Sequence, residues 1–280
     1  MQPITVRMTL ACLIAIALTG CHRRKANIEK VDDIYDARVG VLLGSMGEAL
    51  AKQRFPKAEV KCFDEIPDAI SAVAAGQLDA VITTQPAANL ATSRHPRLRL
   101  LPQMLDDEET CLGLRLTDHE MLENINRILD ELMADGTIGQ LNGQWLTGGD
   151  PAKDIEIPVS ESGTPLKVGI CSLREPFTFK DPAGEVIGHN AVLARIVAGK
   201  LGRPIEFVDL KFAALIAALQ TGKIDMIATG MSASEERRKQ IAFSKPYYMN
   251  HQMVIVRSGP GSDQGAKPAI LEKEIGRAHV

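Results

Sequence analysis

The chain has 280 residues, 45% of them hydrophobic and 24% charged, with 32 Lys and Arg set against 35 Asp and Glu for a net charge of −3. This is an ordinary globular composition, long enough for two lobes. The near balance of charge, without a Lys/Arg stripe, excludes a nucleic-acid footprint, so no nucleic-acid partner is expected.

Arg7 gives the N-terminus a positive start. Residues 8–18 are an apolar run too short to span a bilayer, and they lead into Leu18-Thr19-Gly20-Cys21. Charge, apolar run and small-residue cut site, in that order, mark a signal peptide. The Cys directly after it resembles the bacterial lipobox, in which cleavage leaves Cys21 as the lipidated N-terminus. Residues 1–21 are therefore expected to be a leader and residues 22–37 a polar tether. No later run approaches the roughly 20 apolar residues of a membrane helix. His22 in place of Asp after the Cys weakly favours the outer membrane. Of the remaining cysteines, Cys62, Cys111 and Cys171 are odd in number and lack metal-ligand spacing, so buried free thiols are expected.

Residues 38–43 form a β-branched apolar strand, broken by Gly44-Ser45-Met46-Gly47 and followed by a helical pattern from Glu48. Residues 60–63 read as a strand, 67–75 as a helix stopped by Gly76, and 79–83 as another strand. Asp106-Asp107-Glu108-Glu109 lacks the spacing of a calcium loop and reads as a solvated surface turn. Residues 148–164 are rich in turn formers and read as a linker. A second α/β run opens at 166–170. A helix follows over 191–200, then a strand at 205–208, a helix over 212–220 and a strand at 226–229. The two runs echo each other. Gly76-Gln77-Leu78-Asp79 parallels Gly222-Lys223-Ile224-Asp225, and Val39-Gly40-Val41 parallels Val168-Gly169-Ile170. A duplicated α/β lobe is the expectation, with a ligand cleft at the carboxyl ends of the strands.

Two places carry the features of an anion site. Gly44-Ser45-Met46-Gly47 joins a strand end to a helix start, where free N–H groups point outward. In Ser232-Ala233-Ser234-Glu235-Glu236-Arg237, Ser232 and Glu235 have capping-box spacing and Ser234 is a second candidate N-cap. Arg237 in a first helical turn opposes the helix dipole, which makes sense beside a bound carboxylate. The alternative is a solvated Arg in a charged stretch. The histidines show no metal-ligand spacing, and Ser45 and Ser232 have no sequence-adjacent base, so neither a metal, a cofactor nor an enzymatic site is expected.

Residues 224–237, with Phe243-Ser244-Lys245-Pro246-Tyr247-Tyr248, resemble the signature of the family 3 extracellular solute-binding proteins, the polar-amino-acid receptors of ABC importers. Pro176 to Phe179, Asp181, Gly184 and Gly188 match that family's opening segment. Residues 39–45 and 79–82 match its second lobe, and residues 134–138 with Trp145 its closing helix. The resemblance covers roughly residues 38–257. It implies a type II periplasmic-binding-protein-like fold of two lobes, each a doubly wound, mainly parallel sheet flanked by helices. It also implies second-lobe-like residues 38–110, a closing segment 111–147 packed on the other lobe, first-lobe-like residues 165–258 and a tail from 259. The lobe order is that of a circular permutant or of a tandem protein lacking its ends. Residues 274–280 resemble the translation of a sequencing adapter, so the tail is expected to be disordered.

The resemblance implies a function as well. A small ligand, an amino acid or a related carboxylate, would lie between the lobes of a periplasmic or cell-surface protein and pass to an ABC permease. Its carboxylate would meet Arg237, the N–H of Ser232 and the turn at Ser45 and Met46. The Gly230 carbonyl would hold an amino group, and Phe212 falls at an aromatic stacking position, or else is a core residue. Two departures stand out. Thr84 occupies the place of the family's amine-binding carboxylate, and Arg174 that of its first aromatic clamp. These favour an anionic ligand or one without a free α-amine, with Glu175 a partial substitute for the lost charge. The alternatives are a sensor or permease-fused binding module and, further off, an enzyme resembling cyclohexadienyl dehydratase.

Overall fold

The computed structural model describes residues 28–148 and 155–259. The leader with Cys21, residues 22–27 of the expected tether and the tail from 260 lie outside the described residues. In chain order the elements are β1 (Arg38–Leu42), α1 (Met46–Arg54), β2 (Glu59–Phe63), α2 (Ile66–Ala74), β3 (Ala80–Thr84), α3 (Gln85–Arg94), β4 (Leu98–Leu100), β5 (Asp106–Leu114), α4 (His119–Ala134) and α5 (Thr137–Trp145). Residues 149–154 of the expected linker lie outside the described residues, while Ile155 and Ile157 pack against the core; beyond them come β6 (Leu166–Ile170), β7 (Leu173–Arg174), β8 (Thr178–Lys180), β9 (Val186–Ile187), α6 (His189–Lys200), β10 (Ile205–Asp209), α7 (Leu215–Gln220), β11 (Met226–Ser232), α8 (Glu235–Arg238), β12 (Ala242–Phe243) and β13 (Tyr248–Arg257).

The strands form two lobes of matching order, called first and second here in chain order, β2-β1-β3-β13-β4 and β10-β6-β11-β5-β12. β1, β2 and β3 run parallel to one another, as do β6, β10 and β11. Each lobe is completed by one antiparallel strand from the other half of the chain. β5 enters the second lobe from the first half, and β13 returns to the first lobe from the second half. These two strands also pair with each other, Tyr248 opposite Thr110 through Gln252 opposite Asp106, so the lobes share one ten-stranded sheet. The strand exchange moves the expected boundaries. The break at 110/111 falls inside β5, and the end of the 165–258 segment belongs to the opposite lobe.

The sequence echo has a physical cause. Asp79 accepts the Arg38 backbone N–H at 3.0 Å, and Asp225 accepts the Lys167 backbone N–H at 3.1 Å. Each carboxylate pins the start of its lobe's first strand. A Cβ on Gly40 would come within 2.7 Å of Leu78 Cδ1, and one on Gly169 within 2.2 Å of Ile224 Cδ1. The Gly in each first strand is thus the seat of the apolar residue that precedes each Asp. Gly76 and Gly222, both at φ 73, end the preceding helices in the left-handed region.

Residues 28–37 are packed rather than a free tether. Val31 and Ile34, in a 3₁₀ turn, are buried with Val39, Val41 and Phe55, because they cover an apolar sheet face that β1 and α1 leave open. The expected helix at Phe212 begins as a 3₁₀ turn and becomes α-helical at Leu215. Cys62, Cys111 and Cys171 are free, but Cys62 is exposed because β2 is an edge strand. Among the described residues no helix is long and apolar enough to cross a membrane.

Candidate functional site

The carboxyl ends of the strands of both lobes face one cleft. From the first lobe come Leu42, Ser45 and Met46 after β1 and Thr83 and Thr84 at the end of β3. From the second come Arg174, Phe212, Gly230, Ser232 and Arg237, and the exchanged strands add Glu108 and Gln252. All eight residues singled out from the sequence, Arg237, Ser232, Gly230, Ser45, Met46, Phe212, Thr84 and Arg174, line it. The enclosed cavity is only ≈ 10 Å³, about the space of one water. Ser45, Met46, Phe212 and Arg237 also line an outer groove of ≈ 510 Å³ between α1 and α7, so Arg237 stands at the neck between groove and cavity.

Local sequence fixes these positions. Ser45 Oγ accepts the Glu48 N–H and caps α1, which leaves the helix start facing the cleft. Ser234, not Ser232, caps α8 by accepting the Arg237 N–H at 3.3 Å. Arg237 then lies in the first turn of α8 with its guanidinium turned inward, 7% exposed. Its Nη1 donates to Ser232 O at 2.8 Å and its Nη2 to Gly44 O at 2.7 Å. Burial lowers its pKa to about 10.

Arg174 is buried too. Its Nε donates to Thr229 O at 3.0 Å and its Nη2 to Gly230 O at 3.1 Å, and its guanidinium lies 4.4 Å over the Phe212 ring. The carbonyl that the resemblance assigns to a ligand's amino group is thus held by the protein's own Arg174. Phe212 is 3% exposed and stacks on this arginine, with Arg237 at 5.6 Å. Burial pushes the Arg174 pKa down.

Two residues of the site were not singled out from the sequence. Glu108 is 7% exposed, inside strand β5 rather than on a solvated turn. Its Oε1 accepts from Asn250 Nδ2 at 3.2 Å and from Gln252 Nε2 at 3.0 Å, while its Oε2 has no hydrogen-bond partner among the described residues. Gln252 Oε1 likewise has none. The signal for Glu108 was the alternation along β5, in which Glu108, Thr110 and Leu112 share the inward face. A run of four acids hid it. Glu175 does not reach the cleft. It takes two hydrogen bonds from Arg94, at 2.6 and 2.7 Å, and ties the rims of the lobes together. Lys211 and Glu65 form a second rim bridge. Among the described residues no cluster of metal-ligating side chains occurs.

Residues 166–271 match the family described as "Bacterial extracellular solute-binding proteins, family 3". The chain is 43% identical to a "Probable histidine-binding protein" of Campylobacter jejuni over 40% of this chain and 43% of that one. It is 44% identical to the solved structure of "An ancestral arginine-binding protein bound to arginine", with a TM-score of 0.30 and coverage of 31% of this chain and 38% of that one. The chain thus spans less than half the length of these relatives. An alignment of another kind, 23% identical, runs over 84% of this chain and 20% of "Virulence sensor protein BvgS" of Bordetella bronchiseptica.

Proposed function

We propose that this chain is a solute-binding module that holds an amino acid or related small carboxylate between its two lobes, closing about the β5 and β13 crossing. One observation carries the reading. Residues picked out by a sequence signature, and lying far apart in the chain, line a single cleft around Arg237. Among the described residues this buried guanidinium has no carboxylate in salt-bridge contact, only backbone carbonyls. Buried cations call for a counter-charge, and the fork of Arg donors fits a carboxylate.

In this reading the protein is exported, is anchored by a lipid on Cys21 at the periplasmic or cell-surface side, and passes its ligand to an ABC permease. The names of the binding-protein relatives support the ligand class, and the family match supports export. No step of the reading requires catalysis. The test is a thermal-shift screen of the full chain against amino acids and small carboxylates, repeated with Arg237→Ala. A ligand that stabilises the parent but not the variant supports the reading. A ligand that stabilises both equally places binding outside this cleft.

A second reading is a sensory binding module. It is favoured by the alignment with the sensor protein, which runs through both halves of the chain, where the histidine-binding relative aligns over 40%. Uptake of labelled ligand by cells lacking the gene separates the two. Lost uptake supports transport. Unchanged uptake with altered gene expression supports sensing.

A further inference from the structure

We propose that Glu108, backed by Gln252, is the ammonium-accepting pole of this cleft, and that the ligand is a small amino dicarboxylate of the aspartate or glutamate type. The inference rests on the reading of the cleft as a solute site and narrows its ligand.

Glu108 Oε2 and Gln252 Oε1 are two buried acceptors without donors among the described residues, on neighbouring strands, and both residues line the cleft. Buried polar atoms are almost always satisfied. A ligand bringing several N–H donors to one corner would satisfy both, and an ammonium brings three. Gln252 is the register partner of Thr84, where the resemblance looks for a carboxylate. Through Gln252, Glu108 supplies that carboxylate from the adjacent crossing strand. The function has shifted from β3 to β5, so the loss at position 84 does not exclude a free α-amine.

Charge then sets the rest of the ligand. Arg174 and Arg237 are both buried in the cleft walls, and the one carboxylate among the lining residues is Glu108. Two formal positive charges face one negative charge, and a ligand of net −1 makes the site neutral. Each arginine keeps a donor for it. Arg237 Nε and Arg174 Nη1 make no hydrogen bond to the described residues. Two guanidinium groups suit two carboxylates. A cationic side chain is disfavoured, because the Thr229 and Gly230 carbonyls and the Phe212 face already hold the guanidinium of Arg174.

The test is calorimetric titration of the full chain with L-aspartate, L-glutamate, L-glutamine, L-arginine, L-histidine and glutarate, the last being a dicarboxylate without an amine. Glu108→Gln keeps the shape and an acceptor for Asn250 and Gln252 but removes the charge. The expected result is that an acidic amino acid binds at least about tenfold tighter than glutamine or arginine. In Glu108→Gln its affinity should fall about tenfold to a hundredfold, while glutarate binds as well as or better than before. Arg174→Ala should erase the preference for the second carboxylate. Arginine or histidine binding as tightly as the acids overturns the inference and leaves the solute-binding reading standing. So does an equal loss of glutamate and glutarate in Glu108→Gln. No heat with any of the six, in parent and variants whose circular dichroism shows them folded, overturns both.

Discussion

Arg237 Nη2 reaches across the cleft to the carbonyl of Gly44, 2.7 Å away and 193 positions distant in the chain. One side chain therefore both faces the cleft and bridges the two lobes. In the proposed reading a ligand carboxylate would compete for this guanidinium, so one substitution tests ligand binding and this cross-lobe contact together. Arg237→Ala should weaken ligand affinity on the order of tenfold to a hundredfold and should broaden the small-angle scattering envelope of the ligand-free chain. Unchanged affinity would show that the latch and the ligand contact are separate.

Gly44 has φ 74, and a Cβ there would come within 3.3 Å of the Ala213 backbone in the other lobe. Gly44→Ala should cost about 1–2 kcal/mol through the left-handed backbone and hold the lobes apart. The check is a urea melt paired with titration of the ligand. A melt unchanged from the parent would show that the turn relaxes.

Gly40 and Gly169 occupy equivalent seats under Leu78 and Ile224. Adding a methyl group overpacks both. Gly40→Ala and Gly169→Ala should each lower stability by about 1–3 kcal/mol, with the larger loss at Gly169, where the approach is 2.2 Å against 2.7 Å. Chemical denaturation of both variants tests the lobe correspondence directly.

His189 is fully buried against Tyr247, with its Nε2 on Asn142 Oδ1 at 2.8 Å. Burial lowers its pKa to about 4, below the ordinary 6.5. Between these values the unfolded chain holds a proton that the folded chain does not. The His189 contribution is therefore constant above about pH 6.5 and falls away as the pH drops toward 4, by about 3 kcal/mol in all. His189→Gln should flatten this part of the stability profile. An equally steep profile in the variant would assign the loss to other groups.

Cys111 and Cys171 are buried, with the Cys111 thiol pushed up to about 12 by desolvation. Cys62 is exposed, and its thiol is raised by burial and by nearby Glu48. Of these three, a thiol reagent should label Cys62 first in the native chain, and Cys111 and Cys171 only on unfolding. Mass spectrometry of the labelled peptides reads the order.

The parts of this fold legible in the sequence are those set by local signals. Gly76 and Gly222 end helices, Ser45 and Ser234 cap them, and the recurring Gly and Asp mark two lobes built alike. The residues that line the cleft were legible where a signature named them, as with Arg237, Ser232 and Arg174. Strand β5 was not legible, since its first four residues are acidic and that run hid the alternation that turns Glu108 inward with Thr110 and Leu112. Glu108 owes its position to Asn250 and Gln252, more than 140 residues away. The route of β13 into the opposite lobe was hidden for the same reason. Pairing across such distances is set by the other strand, and residues 248–257 hold no record of it.

The exchange of β5 and β13 makes the molecule a clasp of two hooks. Each half of the chain holds the strand that the other lobe lacks, so neither lobe has a complete sheet until both halves are present. Severed within residues 149–154, the two halves would remain obligate partners, since separating them would strip a central strand from each sheet. Mechanical load pulling the lobes apart would fall on the paired backbones from Asp106 to Thr110 and from Tyr248 to Gln252. That stretch also carries Glu108, so the joint between the lobes and the acidic wall of the cleft are the same piece of backbone.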